Sequence, residues 1–309
     1  MSQPFFPTTP ATPDPDTPAP VLSKDVPLNS INNTSLRIFL PKKSLQSSPN
    51  SQKLPIIVYY HGGGFIYLSA SSSMNHDFCF KLAEMLSVVV VSVDYRLAPV
   101  SRLPAAYDDG VEALQWLRTT DDKWVREFGD ITKCFLMGTS AGGNMVYHVG
   151  LRVLQKTIDD FDFEPLKIRG LILHHPFFGG AQRTESELRL INDEVLPLKS
   201  GDMMWELSLP EGEDRDHKYC NPTVLDEDID KCFDQIKLLR WKVLVTGCYG
   251  DPLFDRQVEF VEILRRKGVE VEEYFGDGCH GMEALDLNSN LAVPARFLVI
   301  LHIVVCDDG

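Results

Sequence analysis

The 309-residue chain lacks any Cys-x-x-Cys pair, and its seven cysteines (Cys79, Cys134, Cys220, Cys232, Cys248, Cys279 and Cys306) are odd in number and scattered. This argues against a disulfide framework or a zinc site and fits free thiols in a reducing compartment. Positive charge is also short: 30 Lys and Arg against 44 Asp and Glu leave a net charge of −14. An acidic surface repels phosphate backbones and anionic lipid, so neither nucleic acid nor a membrane surface is an expected partner. The N-terminus has no basic stretch leading into an apolar core, so no secretion signal is read. The sequons in Asn32-Asn33-Thr34-Ser35 then read as an ordinary polar loop. The most apolar run, Phe297 to Val305, is too short to span a membrane and contains His302. A cytoplasmic location is expected, with the nucleus as a second compartment.

Hydrophobic residues make up 44% of the chain, enough for one large core. Residues 1–25 are rich in Pro and Thr and read as an extended or disordered leader. Residues 26–309 read as one domain. Short apolar runs recur at Ile56–Tyr60, Val88–Val93, Cys134–Met137, Ile168–Leu173 and Val243–Val245, and Val269–Phe275 alternates as a strand nearer an edge would. Unbroken apolar runs suit strands covered on both faces of a parallel sheet. Helical spacing lies between them at Asp109–Arg118, Gly142–Gln155 and Val258–Arg266. The alternation predicts an α/β fold with a mainly parallel sheet flanked by helices. Residues from about 181 to 240 break the rhythm. They are charged but carry Leu188, Leu196, Met203, Met204 and Trp205, so a helical cap is favoured over a solvated excursion.

Two glycine motifs follow strands. Gly138-Thr139-Ser140-Ala141-Gly142 sits between a strand and a helical pattern. Such a tight turn strains the serine backbone and exposes the hydroxyl, and the flanking glycines let strand and helix approach closely, as in the nucleophile turn of α/β-hydrolases. His61-Gly62-Gly63-Gly64 follows Ile56–Tyr60. Successive glycines let backbone N–H groups converge on a developing negative charge. Gly63 and Gly64, with the N–H of Ala141, are the expected oxyanion hole.

A serine hydroxyl needs a base, and the base needs an orienting carboxylate. In this fold the order along the chain is Ser, acid, His. Asp251 stands after the Val243–Val245 strand and is favoured over Asp255, for which a place at the start of the next helix is role enough. His280 lies in the glycine-rich loop Gly276–Gly281 after the last strand and is the expected base. The other histidines are worse placed: His148 lies on the helix after Ser140, and His174 and His175 end a strand where they would line a pocket. Phe65, Phe177, Phe178, Met203, Met204 and Trp205 are candidates for an apolar substrate pocket, or for plain core.

These residues resemble the plant carboxylesterase family, the branch similar to hormone-sensitive lipase. The resemblance is carried by His61-Gly62-Gly63-Gly64-Phe65, Asp94-Tyr95-Arg96-Leu97-Ala98-Pro99, Leu103-Pro104-Ala105-Ala106-Tyr107-Asp108-Asp109 and Gly138-Thr139-Ser140-Ala141-Gly142-Gly143-Asn144, completed by Asp251-Pro252-Leu253 and His280-Gly281. It implies a cytosolic serine esterase acting on small-molecule esters of plant metabolites, with no metal or cofactor. Related gibberellin receptors lack the catalytic histidine, so His280 argues against a pure ligand receptor. Related isoflavanone dehydratases often carry Thr at the position of Gly62. Relatives adapted to alkaloid biosynthesis, by ester hydrolysis with decarboxylation or by cyclisation, remain an alternative, because a complete triad does not exclude them. The chain departs from the family at both ends. It starts near its Pro-rich stretch, without the extra segment that helps cover the pocket, and it finishes in an atypical Val304–Gly309, so lid closure is the feature in question. Oligomeric state is not readable.

Overall fold

All six apolar runs expected to be strands lie side by side in one eight-stranded sheet. The computed structural model describes residues 6–46, 52–158, 163–282 and 295–306. The strands are β1 (Val21–Asn29), β2 (Thr34–Pro41), β3 (Leu54–Tyr60), β4 (Val89–Asp94), β5 (Gly129–Thr139), β6 (Ile168–His174), β7 (Lys242–Gly250) and β8 (Val271–Cys279). Their order in the sheet is β1-β2-β4-β3-β5-β6-β7-β8. The pairs from β4 through β8 are parallel, while β1, β2 and β4 pair antiparallel.

The helices are α1 (Ser73–Leu86), α2 (Ala105–Thr119), α3 (Lys123–Phe128), α4 (Ala141–Ile158), α5 (Glu185–Arg189), α6 (Leu198–Ser208), α7 (Glu227–Leu239), α8 (Phe254–Arg266) and α9 (Ala295–Cys306). The two-residue period of the strands splits the core. Ile56, Val58 and Tyr60 face one layer, with Tyr107 and Leu114 of α2, Met145 of α4, Phe233 of α7 and Phe260 of α8. Ile57 and Tyr59 face the other, with Phe78 and Leu82 of α1 and Phe297 and Leu301 of α9. Helices on both faces explain the apolar runs Ile56–Tyr60 of β3 and Val89–Val91 of β4.

Three expectations change. β1 begins at Val21, so the leader stops short of residue 25. Nor is residues 6–20 loose: Thr9 N donates to Ser71 O, Pro7 O accepts from Ser73 N, and Thr12 and Ser23 exchange bonds. Extended Pro-rich chain keeps free carbonyls and N–H groups, and here the body supplies their partners. Residues 1–5 of the leader lie outside the described residues. The β1–β2 hairpin was not anticipated, because Lys24, Asp25 and Pro27 hide a strand at the sheet edge, where such residues are tolerated. Finally, α7 belongs to the helical layer and not to a cap. Its charged first turn masks a stripe of buried Ile229, Cys232, Phe233 and Ile236, and the Cys232 thiol donates to Leu151 O of α4. What stands over the sheet's end is α5 and α6.

His148 of α4 is packed among Tyr107, Tyr147 and Tyr219. Burial, then the Arg152 guanidinium, pushes its imidazole from 6.5 down to about 3. It therefore folds neutral. Below 6.5 the unfolded chain takes up a proton that the native state refuses until about 3, so this contribution is full above that window and declines as pH falls through it. His148→Gln is expected to flatten the fall of the urea midpoint between roughly pH 7.5 and 5. An unchanged slope in the variant would show that other groups set it.

Candidate active site

At the C-terminal end of the sheet, β5 runs into α4 through one residue, Ser140, whose φ of 57° is left-handed. The strain is locked in by close backbone contact. A Cβ on Gly138 would stand 2.2 Å from Gly142 O, and one on Gly142 would stand 1.9 Å from Tyr60 O. Only glycine fits where the start of α4 crosses the end of β3. The Ser140 N–H donates to His174 O, and Ser140 O accepts from Phe177 N, both at 2.9 Å.

Two loops bring the other groups. After β7, Asp251 closes a turn in which its N–H donates to Cys248 O and its carbonyl accepts from Phe254 N. After β8, the glycine-rich loop presents His280. His280 Nε2 lies 2.8 Å from Ser140 Oγ, and His280 Nδ1 lies 2.8 Å from Asp251 Oδ2. The structure thus brings Ser140, Asp251 and His280 into one hydrogen-bonded line.

The Asp251 carboxylate is fully buried. Burial alone would push it up, but the His280 charge and hydrogen bonds from His175 and His280 outweigh that and hold it well below the usual carboxylate range. It accepts from His280, from Gln257 Nε2 at 2.9 Å, from His175 Nδ1 at 3.1 Å and, on Oδ1, from Leu253 N at 2.8 Å. Gln257 and this role of His175 were not anticipated. A buried Gln on the inner face of α8 was the available signal, since polar groups in a core need partners. His175 does not line the pocket as expected. It sits beneath the triad, 1% exposed, and His174 is buried beside it. Asp255 stands in the first turn of its own helix, as expected, and also accepts from Ser186 N at 2.7 Å at the start of α5, which ties α5 to α8.

The glycine loop after β3 turns beside the serine: a Cβ on Gly62 would meet Ser140 Cβ at 3.4 Å. Gly63 and Gly64 have φ of 107° and 60°, backbone conformations open to glycine and strained for other residues. Ala141, the first residue of α4, is fully buried. His61 supports the loop from behind, stacked on Tyr95 at 4.2 Å, while Tyr95 Oη donates to His61 O. Helix α6 covers the loop. Met204 occupies the space a Cβ on Gly64 would need, at 2.2 Å from Sδ, and Ser208 Oγ donates to Gly64 O. Trp205 stacks on Phe177 at 4.6 Å and meets Phe65 at 5.8 Å. These three aromatics, named as pocket candidates, form one buried cluster at the seam between α6 and the body. Phe178 packs elsewhere, against Phe260.

A strained serine at a strand-to-helix turn over a mainly parallel sheet defines an α/β-hydrolase. The family model described as alpha/beta hydrolase fold matches residues 57–283. Carboxylesterase 20 of Arabidopsis thaliana is 53% identical over 91% of this chain and 85% of its own length. The 3-O-acetylpapaveroxine carboxylesterase CXE2 of Papaver somniferum is 49% identical over 89% of this chain and 88% of its own. Among solved structures, carboxyl esterase 2 of Tuber melanosporum shares the fold, with a TM-score of 0.75 at 20% identity over 94% of this chain and 87% of that one. The chain belongs to the plant carboxylesterases of the α/β-hydrolase family, and it is a carboxylic ester hydrolase.

The crossing at Gly142 makes a direct test. Gly142→Ala is expected to lower stability by about 3 kcal/mol or more, because backbone rather than a flexible side chain must move. Gly201→Ala, mid-helix with its nearest neighbour at 4.0 Å, is expected to raise it by roughly 0.5–1 kcal/mol. Urea denaturation reads both; equal stabilities would show that the crossing relaxes freely.

Proposed function

We propose that the enzyme hydrolyses small-molecule carboxylic esters through an acyl-enzyme on Ser140. The observation that carries this reading is the continuous line from Ser140 Oγ through His280 to Asp251, with 2.8 Å at each step. His280 Nε2 takes the serine proton as Oγ attacks the ester carbonyl. The imidazolium forms against the buried Asp251 carboxylate, which keeps its charge throughout. The N–H groups of Gly63, Gly64 and Ala141 hold the oxyanion, and each such donor contributes on the order of 3 kcal/mol to the transition state. His280 then protonates the leaving alcohol. Water, activated by the same imidazole, releases the acid and regenerates Ser140.

In this reading the chain from the start of β1 at Val21 onward acts as one domain, with α5 and α6 as its cap. Phe65, Phe177 and Trp205 back the wall of the substrate pocket, and Met204 meets the substrate. Small acyl groups fit best, because Met204 rests on Gly64 and leaves little room above the oxyanion loop. The poppy relative is named for an O-acetyl ester of a plant alkaloid, which favours acetyl esters of specialised metabolites here. Cys79, Cys134, Cys220, Cys232 and Cys248 are buried free thiols, which supports a cytoplasmic setting. No helix among the described residues is long and apolar enough to cross a membrane.

The test is turnover of p-nitrophenyl acetate and butyrate. The wild type is expected to prefer acetate, and Ser140→Ala and His280→Ala are each expected to lose at least about a thousandfold in kcat while staying folded. A folded wild type with no turnover, or a Ser140→Ala variant that keeps it, would overturn the mechanism. Preference for butyrate would overturn the place given to Met204.

A further inference from the structure

We infer that His175 is a positioning residue for the ester-cleaving reaction: a second imidazole that donates a hydrogen bond to Asp251 and sets how strongly that carboxylate holds His280. The inference rests on the acyl-enzyme reading above, since it assigns a partner to the acid of that machinery.

The geometry fixes the tautomer. His175 Nδ1 lies 3.1 Å from Asp251 Oδ2, the oxygen that His280 Nδ1 also approaches. A lone pair on that nitrogen would face a negative oxygen, so the proton is on Nδ1. The Gly281 N–H also approaches that nitrogen, at 3.4 Å, but the shorter contact is to a charged oxygen at 3.1 Å, and a charge-assisted hydrogen bond outweighs a long neutral one. The other nitrogen then carries the lone pair, and the Cys248 thiol lies 3.6 Å from it. The thiol's other neighbour is the Met282 thioether at 4.0 Å, a weaker acceptor, so the S–H is available to His175. A chain of donors results: Cys248 to His175, His175 to Asp251, and from the opposite side Ser140 to His280 and His280 to Asp251.

The placement of His175 is strained and enclosed, unlike that of a residue merely filling space. It stands just past the end of β6 at φ 46°, its N–H held by Thr246 O. A left-handed backbone at a non-glycine residue is unfavourable and persists where its surroundings demand it. Here that backbone turns the ring under Asp251. Among the described residues, the titratable and charged groups facing it include Asp251 and His280 from the loops after β7 and β8, His174 from its own strand, Cys248 of β7 and Cys279 of β8. Among them Asp251 is the group whose charge the Nδ1–H meets.

Two donors from imidazoles on one oxygen have a definite consequence. Each drains part of the negative charge that the other sees. Removing the His175 donor leaves Asp251 a stronger anchor for imidazolium at His280 and a looser one in orientation. The ring is therefore harder to deprotonate and less well aimed at Ser140.

Two variants and one spectrum test this. His175→Leu fills the space without a donor. His175→Asn tolerates the left-handed backbone and places an N–H near the original Nδ1. The Leu variant is expected to lose about tenfold to a hundredfold in kcat with little change in KM. The acid limb of its kcat/KM profile is expected to move to higher pH. The Asn variant is expected to stay within about threefold of wild type, with its acid limb in place. A folded Leu variant with wild-type kcat and profile overturns the inference, as does a folded Asn variant as impaired as Leu. Should Leu fail to fold, 15N NMR of the wild type with labelled histidine decides alone: a His175 protonated on Nδ1 supports the assignment, and one protonated on Nε2 overturns it. The spectrum needs no turnover. A wild type inactive on every ester would therefore sink the acyl-enzyme reading without being confused with a failure of the His175 assignment.

Discussion

A carboxylate without water is the costliest ordinary group to place in a protein interior, and the site is organised around one. Asp251 has no exposed surface, so every lone pair that water would have met needs a donor from the chain. Those donors come from three directions: the loop after β6, the loop after β8 and the first turns of the helix that follows Asp251 itself. They can meet only if β6, β7 and β8 run parallel in one register, as they do with His174 opposite Thr246 and Gly250 opposite Cys279. A shift of one residue would invert which side chains face each layer and leave the charge bare. Sheet register and acid placement are one condition here.

The nucleophile answers to a different constraint, the close crossing of α4 over β3. Gly138 and Gly142 allow the crossing, and the crossing obliges Ser140 to take a left-handed backbone. The same approach sets the glycine loop beside the serine, because that loop begins where β3 ends. The proposed nucleophile and the glycine loop are therefore positioned by one contact between backbones, independent of the contacts that hold Asp251 and His280. His280 bridges the two halves with a hydrogen bond to each.

How much of this was legible in the sequence depended on how local the signal was. That Ser140, Asp251, His280 and the glycine loop come together could be read because each stands at a strand end marked by glycine, and the order of strands tells which ends meet. The parallel sheet was readable because burial on both faces leaves unbroken apolar runs. His175 and Gln257 were not, since their importance comes from contact with Asp251, and for His175 that partner is 76 residues away in the chain. The hairpin of β1 and β2 escaped because edge strands admit Lys, Asp and Pro. Helix α7 was placed in the cap because Glu227, Asp228 and Asp230 crowd its first turn, where they suit the helix dipole, and so obscure the apolar stripe beneath.

Met204 rests where a side chain at position 64 would have to go. On the proposed reading, the helix that closes over the substrate is thereby seated directly on the loop that stabilises the transition state, fastened there by Ser208. Substrate range and catalytic rate are consequently not separate traits along α6. In that reading, a substitution that enlarges the pocket by shortening Met204 also removes the weight that holds Gly64 in its turn, so diversification of the proposed cap toward bulkier esters has to be accompanied by a new brace for the glycine loop.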